Sequence, residues 1–475
     1  MAPAKKKTCT HQALCLDASD HGRAAIGFQR APAGKRIAAA TTSAEKVDPA
    51  DPGPDASTFP GPLVLPDDEL ALNPKYPPQS LRSWARGGHR NKISPERKTL
   101  YVAGPPGVGE AGFMKGWEVP DVDEWVHPDD VPRLAHPGTE DVIAYLEAFY
   151  HPLPVRRLPT AFKFVAWDEK KTEGTPEMVG LAAEGSDVAV GIRARPAPDG
   201  IARGQLNLGD VLDALAGVMP KDAYAAVMLC EQDLYEDEED EFCCGRAFGG
   251  SRISVVSSFR YLPVLDVVYG IEGGHCWPAA HCGRYVGRVC EEAAEAEAEE
   301  NDKGKGRKRK RGGRIAADGE IVMDVRKRPG TAMGAAVAAA RGFLVPKTKA
   351  AEEGMWFARV ARTAAHELGH CFGMDHCVYY ACSMQGSAGL NEDGRQPPYL
   401  CPVCEGKFVY GVGEMGVVEG CKFGKWEEGR EEKVRMERMR AMWGFCERWK
   451  GVGMFAGFGG WLGARMREEE RAAGV

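Results

Sequence analysis

Residues 366–377 read HELGHCFGMDHC. Histidines four apart on a helix share one face, about a turn apart, so His366 and His370 can reach a single metal ion. Glu367 follows the first histidine into the same cleft, where its carboxylate can accept a proton from a water instead of binding the metal. Gly373 suits a left-handed residue that ends the helix and swings the chain back. His376 then arrives as a third neutral nitrogen donor. Three protein ligands with one position left open are the pattern of a catalytic rather than a structural zinc site. Upstream, the periodicity predicts a helix from Glu352 to Cys371 with an apolar stripe of Trp356, Val360, Ala364, Leu368 and Cys371. His366 and His370 lie about 120° around the helix from that stripe. One side can therefore pack on a sheet while the other faces a cleft.

A second constellation follows at once. Cys377 and Cys382 are separated by four residues, and Cys401 and Cys404 form a CPVC pair. Two such pairs bridged by a loop fit a closed tetrahedral zinc site made of four cysteines. Met384 lies between the pairs, eight residues after His376. A methionine downstream of three histidine ligands can form an apolar floor under the metal, a Met-turn. His376 and Cys377 are adjacent, with Cα atoms about 3.8 Å apart, so the four-cysteine site is expected to brace the third histidine.

The run HExxHxxGxxHC, then CxM, then CxxC, resembles the archaemetzincin family of metzincin-type metallopeptidases. Weaker similarity extends upstream, to the DLY segment within Gln232–Tyr261 and to LALNPKYPPQSLRSW near Leu70–Trp84. The 16 residues between Met384 and Cys401 are one fewer than the family pattern. The resemblance implies a catalytic zinc on His366, His370 and His376, Glu367 as general base, Met384 as the Met-turn, and a structural zinc on Cys377, Cys382, Cys401 and Cys404. That makes two Zn²⁺ per chain. The implied activity is hydrolysis of peptide bonds by a zinc-activated water, aminopeptidase-like on short substrates, although no residue enforces that preference. The expected fold is α+β and metzincin-like. A mixed twisted sheet would carry the active-site helix, and a smaller irregular or helical C-terminal subdomain would hold the four-cysteine knuckle.

The rest of the chain bounds this reading. Of its 475 residues, 27% are charged and 44% hydrophobic, the balance of a globular chain. A net charge of -7 excludes a general polyanion binder. No run of about 18 apolar residues marks a membrane span. The start, MAPAKKK, has no apolar segment of a secretory signal. Fifteen cysteines, an odd number, argue against a disulfide framework and for metal ligation. Four segments are expected: a disordered tail over 1–60, an extended arm packed on the catalytic domain over 61–97, the domain itself over 98–450, and a C-terminal tail over 451–475. Strands are predicted at 100–104, 187–192, 223–230 and 252–259, with helices at 141–150 and 207–217. A last helix, 427–449, is predicted to bury Val434, Met436, Met439, Met442 and Trp443.

Residues 291–314 form a low-complexity insertion, acidic and then basic, read as an exposed loop. Its run Lys305–Arg311 could serve nuclear import, so the expected location is cytoplasmic, nuclear or both, ahead of mitochondrial. Peptide or protein is the expected partner, with neither membrane nor nucleic acid, and oligomeric state is not legible. His275, Cys276, His281, Cys282 and Cys290 match no closed metal site and read as loop residues. Two other function classes compete: a zinc-stabilised binding protein with vestigial activity, and a chromatin-associated protease tethered by the basic run.

Overall fold

The computed structural model describes residues 9–17, 27–42, 48, 51–88, 90–109, 111–123, 125–127, 132–167, 175–304, 321–414, 430–472 and 474. Among them, no helix is long and apolar enough to cross a membrane. The strands are β1 (Ala13–Cys15), β2 (Thr99–Ala103), β3 (Val155–Arg157), β4 (Phe162–Ala166), β5 (Met178–Ala183), β6 (Ala189–Arg195), β7 (Gln205–Asn207), β8 (Ala223–Cys230), β9 (Asp233–Tyr235), β10 (Gly245–Phe248), β11 (Ile253–Ser257) and β12 (Val322–Asp324). The described helices of nine residues or more are α1 (Thr139–Phe149), α2 (Leu208–Ala216), α3 (Gly283–Gly304), α4 (Ala332–Ala340), α5 (Lys349–Cys371), α6 (Pro402–Glu414), α7 (Arg430–Arg448) and α8 (Gly453–Ala472).

Helices and mixed sheets are combined, as expected. The main sheet has the order β10-β11-β8-β2-β3. Its inner pairs are parallel, and β10 runs antiparallel to β11 at one edge. Strand β8 (AYAAVMLC) is buried along its whole length, which is why it reads as a continuous apolar run rather than an alternating one. A second five-stranded sheet, order β4-β5-β6-β7-β9, was not anticipated beyond the strand near 187–192. The DLY segment is β9. Its buried Asp233 accepts from Arg260 Nε at 2.9 Å and Gln205 Nε2 at 2.8 Å, tying this sheet to the turn after β11.

Helix α5 starts at Thr348, whose side chain accepts from Ala351 N at 3.2 Å, a capping bond that satisfies one free N–H of the first turn. Trp356, Val360, Ala364, Leu368 and Cys371 are all buried, as the stripe predicted. Trp356 also donates to Ser258 O at 2.8 Å, pinning the helix to the end of β11. The opposite side of the last two turns borders the edge strand β10. The helix ends where Gly373 adopts φ +77°, a conformation that costs glycine little.

Both chain ends depart from expectation. The tail expected over 1–60 contains β1, which pairs antiparallel with β12, and a short helix at Ala33–Ala39. Leu14, Leu16, Phe28 and Phe59 are buried. The tail expected over 451–475 is largely α8. Phe455, Phe458 and Trp461 enter the main core. Gly460 lies so close to the backbone of α4 that a Cβ there would meet Ala335 O at 2.7 Å. The glycines that gave this segment a loop-like composition are instead what lets two helices approach closely.

The acidic half of the 291–314 insertion also differs from expectation: it continues α3 to Gly304 instead of forming a loop. The basic run 305–311 lies outside the described residues. On α7, Trp443 is 41% exposed rather than buried. The buried side is set by the packing of Phe445 on Tyr145, with centroids 5.4 Å apart, and includes Met439, Met442 and Cys446.

Candidate metal centre and cleft

Helix α5 and the turn that follows bring His366, His370 and His376 together. One ring nitrogen from each lies within 4.8 Å of the others, and the Nε2 atoms of His366 and His370 are 3.0 Å apart. The Nδ1 atoms explain this convergence. His366 Nδ1 donates to Ser383 O at 2.6 Å, His370 Nδ1 to Met374 O at 2.7 Å, and His376 Nδ1 to the Glu69 carboxylate at 2.8 Å. Each bond fixes a tautomer in which Nε2 carries the free lone pair, the arrangement by which supporting groups orient metal ligands. Burial, reinforced by the neighbouring imidazoles, pushes the pKa of His370 down to about 3 and that of His366 well below its usual value. Both are held neutral, the form that binds metal. The donor set and its orientation therefore fit Zn²⁺.

Glu367 is buried beside these rings. Burial pushes its carboxyl up to about 8, partly opposed by Arg246. It packs against β10, where a Cβ at Gly245 would lie 3.2 Å from its Cγ. Met384 is fully buried under the helix, and a side chain at Gly369 would overlap its sulfur. All of this opens into a cleft of about 770 Å³ bounded by β10, Tyr76, Gln79, Gln385 and Asp393.

The four cysteines of the knuckle also meet. Cys377, Cys382, Cys401 and Cys404 are buried, with sulfurs within 4.8 Å of one another. Cys382 Sγ accepts from Met384 N at 3.5 Å and Cys401 N at 3.3 Å, donors of the kind that stabilise thiolate sulfur. Four buried thiols without a disulfide are the chemistry of a closed zinc site. Of the weaker candidates, Cys290 lies within α3, and His275 meets Cys9 and His11 from the N-terminus.

The composition of the arm hid several site residues. Glu69 holds His376. The Tyr76 ring stacks on His376 at 5.6 Å between centroids. Gln79 clamps the turn, donating to Gly373 O at 3.0 Å and Asp375 Oδ2 at 2.8 Å. Their one trace in the sequence is the upstream similarity near Leu70–Trp84, which begins a residue after Glu69.

Several known proteins are similar to this chain. Residues 336–409 match the model of peptidase family M54. Archaemetzincin-2 of Homo sapiens is 22% identical over 370 residues, 77% of this chain and 74% of the relative. Archaemetzincin-2 of Mus musculus is 44% identical over 61 residues, 13% of this chain and 17% of the relative. The crystal structure of archaemetzincin from Methanopyrus kandleri overlays with a TM-score of 0.30 and 15% identity, covering 67% of this chain and 98% of that one. That overlay is too loose to bear on topology. The motif, the segment match and the curated relatives mark this chain as a zinc metallopeptidase similar to the archaemetzincins, with a segment that matches peptidase family M54.

Proposed function

We propose that the chain hydrolyses peptide bonds with Glu367 as general base, one zinc on His366, His370 and His376, and a second, structural zinc on Cys377, Cys382, Cys401 and Cys404. The observation that carries this reading is the set of three Nδ1 hydrogen bonds, which leaves three Nε2 lone pairs facing one point beside Glu367. Zinc at that point would supply Lewis acidity to a water and to the scissile carbonyl. Glu367 holds and moves the proton. Its carboxylate takes one from the attacking water and returns it to the leaving amine. The metzincin-like assignment rests on Met384, which as the Met-turn keeps the floor under the histidines apolar and rigid.

Strand β10 is the edge of its sheet and lines the cleft. As an edge strand it can pair its outer backbone groups with an extended peptide, once Gly245 O gives up the bond it accepts from the Cys243 thiol at 3.2 Å. Such pairing would lay a scissile bond beside Glu367, which touches β10 at Gly245.

The test is zinc content together with cleavage of a peptide library by wild type and Glu367→Ala. Equal zinc content in both proteins, covering at least the two sites named here, with cleavage by the wild type only, is the expected result. Equal zinc without cleavage by either would favour the binding protein with vestigial activity. Repeating the library with N-acetylated peptides tests the aminopeptidase-like preference, since an enzyme needing a free amino terminus will not cut them.

A further inference from the structure

Away from the cleft, the N-terminal strand carries Cys9 and His11 up to His275, and one ligand atom from each lies within 4.8 Å of the other two. Cys9 Sγ is 3.4 Å from the sulfur of the buried Cys282. The Nε2 atoms of His11 and His275 are both buried, and neither has a hydrogen-bond partner among the described residues. His275 Nδ1 is already engaged with Glu272 Oε2 at 3.0 Å, and its ring is stacked on Tyr285 at 4.4 Å. His11 sits at φ +47°, a left-handed conformation uncommon for a non-glycine residue and retained where surrounding contacts demand it.

We infer that Cys9, His11 and His275 form a third metal site that binds Zn²⁺ in a closed, structural role, with Cys282, whose sulfur lies beside that of Cys9, moving in as the fourth ligand. Two buried nitrogens with no donor facing them are a desolvation cost that one divalent cation removes at both atoms together. Two imidazoles and two thiolates are a complete tetrahedral zinc set, with no position left for water. Glu272 orients His275 much as Glu69 orients His376. Two thiolates also neutralise the charge of the ion. Such a site would join positions 273 residues apart. It would hold β1 against the 281–282 segment, where Cys15 N already donates to His281 O at 2.7 Å. The inference is independent of the peptidase reading, because none of these residues lines the cleft.

The experiment uses the full chain, purified without oxidation. Zinc is counted by mass spectrometry in wild type, Cys9→Ser, His11→Ala and His11→Cys. Loss of one zinc per chain in the first two variants, with retention in His11→Cys, is expected. Equal zinc in all four proteins would overturn the site. Cobalt substitution should give tetrahedral visible bands that weaken in Cys9→Ser relative to wild type, and an unchanged spectrum counts against it. If the variants fail to fold, iodoacetamide labelling of the wild type with peptide mapping decides. Protection of Cys9 and Cys282 that a chelator abolishes supports the site. Equal labelling with and without chelator, or a Cys9–Cys282 disulfide, overturns it.

Discussion

Glu69 accepts a hydrogen bond from His376 Nδ1 at 2.8 Å, linking residues 307 positions apart. The carboxylate is itself placed from behind, since Glu69 N donates to Glu392 Oε2 at 2.8 Å. Space for the contact exists because residue 386 is glycine. A Cβ there would overlap both the Glu69 carboxylate and the His376 ring. Removing a group that orients a metal ligand typically costs about 10–100-fold in affinity. Glu69→Ala is therefore expected to weaken zinc binding at the three histidines by that order, and Glu69→Gln, which keeps an acceptor, by less. Gly386→Ala should match Glu69→Ala without touching a charge. Competition against a zinc-buffering chelator measures all three, and unchanged affinity in Glu69→Ala would remove Glu69 from the site.

The two proposed zinc sites share a loop. Cys377 N donates to Met384 O at 2.7 Å, and Ser383, between Cys382 and Met384, supplies the carbonyl that holds His366. Opening the four-cysteine cluster therefore disturbs an acceptor of the histidine cluster, while the reverse path is weaker. Cys401→Ser is expected to lose zinc from both sites, whereas His366→Ala loses one. Metal counting alongside a cleavage assay separates them. A Cys401→Ser protein that loses a single zinc and keeps wild-type cleavage would show that the knuckle does not brace His376.

What the sequence revealed follows the range of the interactions. The stripe of α5, the turn at Gly373 and the His and Cys spacings are local patterns, each set within a few residues, and all are found in place. Glu69, Tyr76 and Gln79 act on the 373–376 turn from about 300 residues away, and apart from the upstream similarity at Leu70–Trp84 nothing in their own neighbourhood marks them. Part of the second sheet was hidden because β7 and β9 have three residues each, too few to show a period of two. Helix α8 was missed for another reason. Its glycines are packing surfaces against α4, and composition alone cannot distinguish a packing glycine from a loop glycine.

As a packed helix, α8 carries part of the fold's stability. Trp461 is 3% exposed, stacks on Tyr399 with centroids 4.3 Å apart, and donates to Thr58 O at 3.0 Å. Truncating a large buried aromatic costs about 3–5 kcal/mol. Trp461→Ala is expected to lose stability in that range by urea unfolding, and a chain ending at residue 451 should not fold cooperatively. A change below about 0.5 kcal/mol in Trp461→Ala, the range of surface substitutions, would return the segment to the status of a tail.

His281 gives the fold an acid limit. Its ring is buried. Nε2 donates to Gly61 O at 3.1 Å, and Nδ1 has no partner among the described residues. Burial pushes its pKa down to about 4, opposed in part by the Gly61 bond and helped by smaller pushes from the charges of Arg30 and Arg395. In the unfolded chain the imidazole takes its proton near 6.5. Between those two values only the unfolded state binds the proton, so stability is complete above pH 6.5 and falls as pH drops toward 4. At about 1.4 kcal/mol per unit, the loss approaches roughly 3 kcal/mol. Acid also releases metal from other histidines, so the informative quantity is the difference between wild type and His281→Gln, whose amide can still donate to Gly61 O. Urea unfolding at several pH values from 7 to 4.5 should show a shallower acid slope in the variant. Parallel curves would mean that His281 is protonated equally in the folded and unfolded chain.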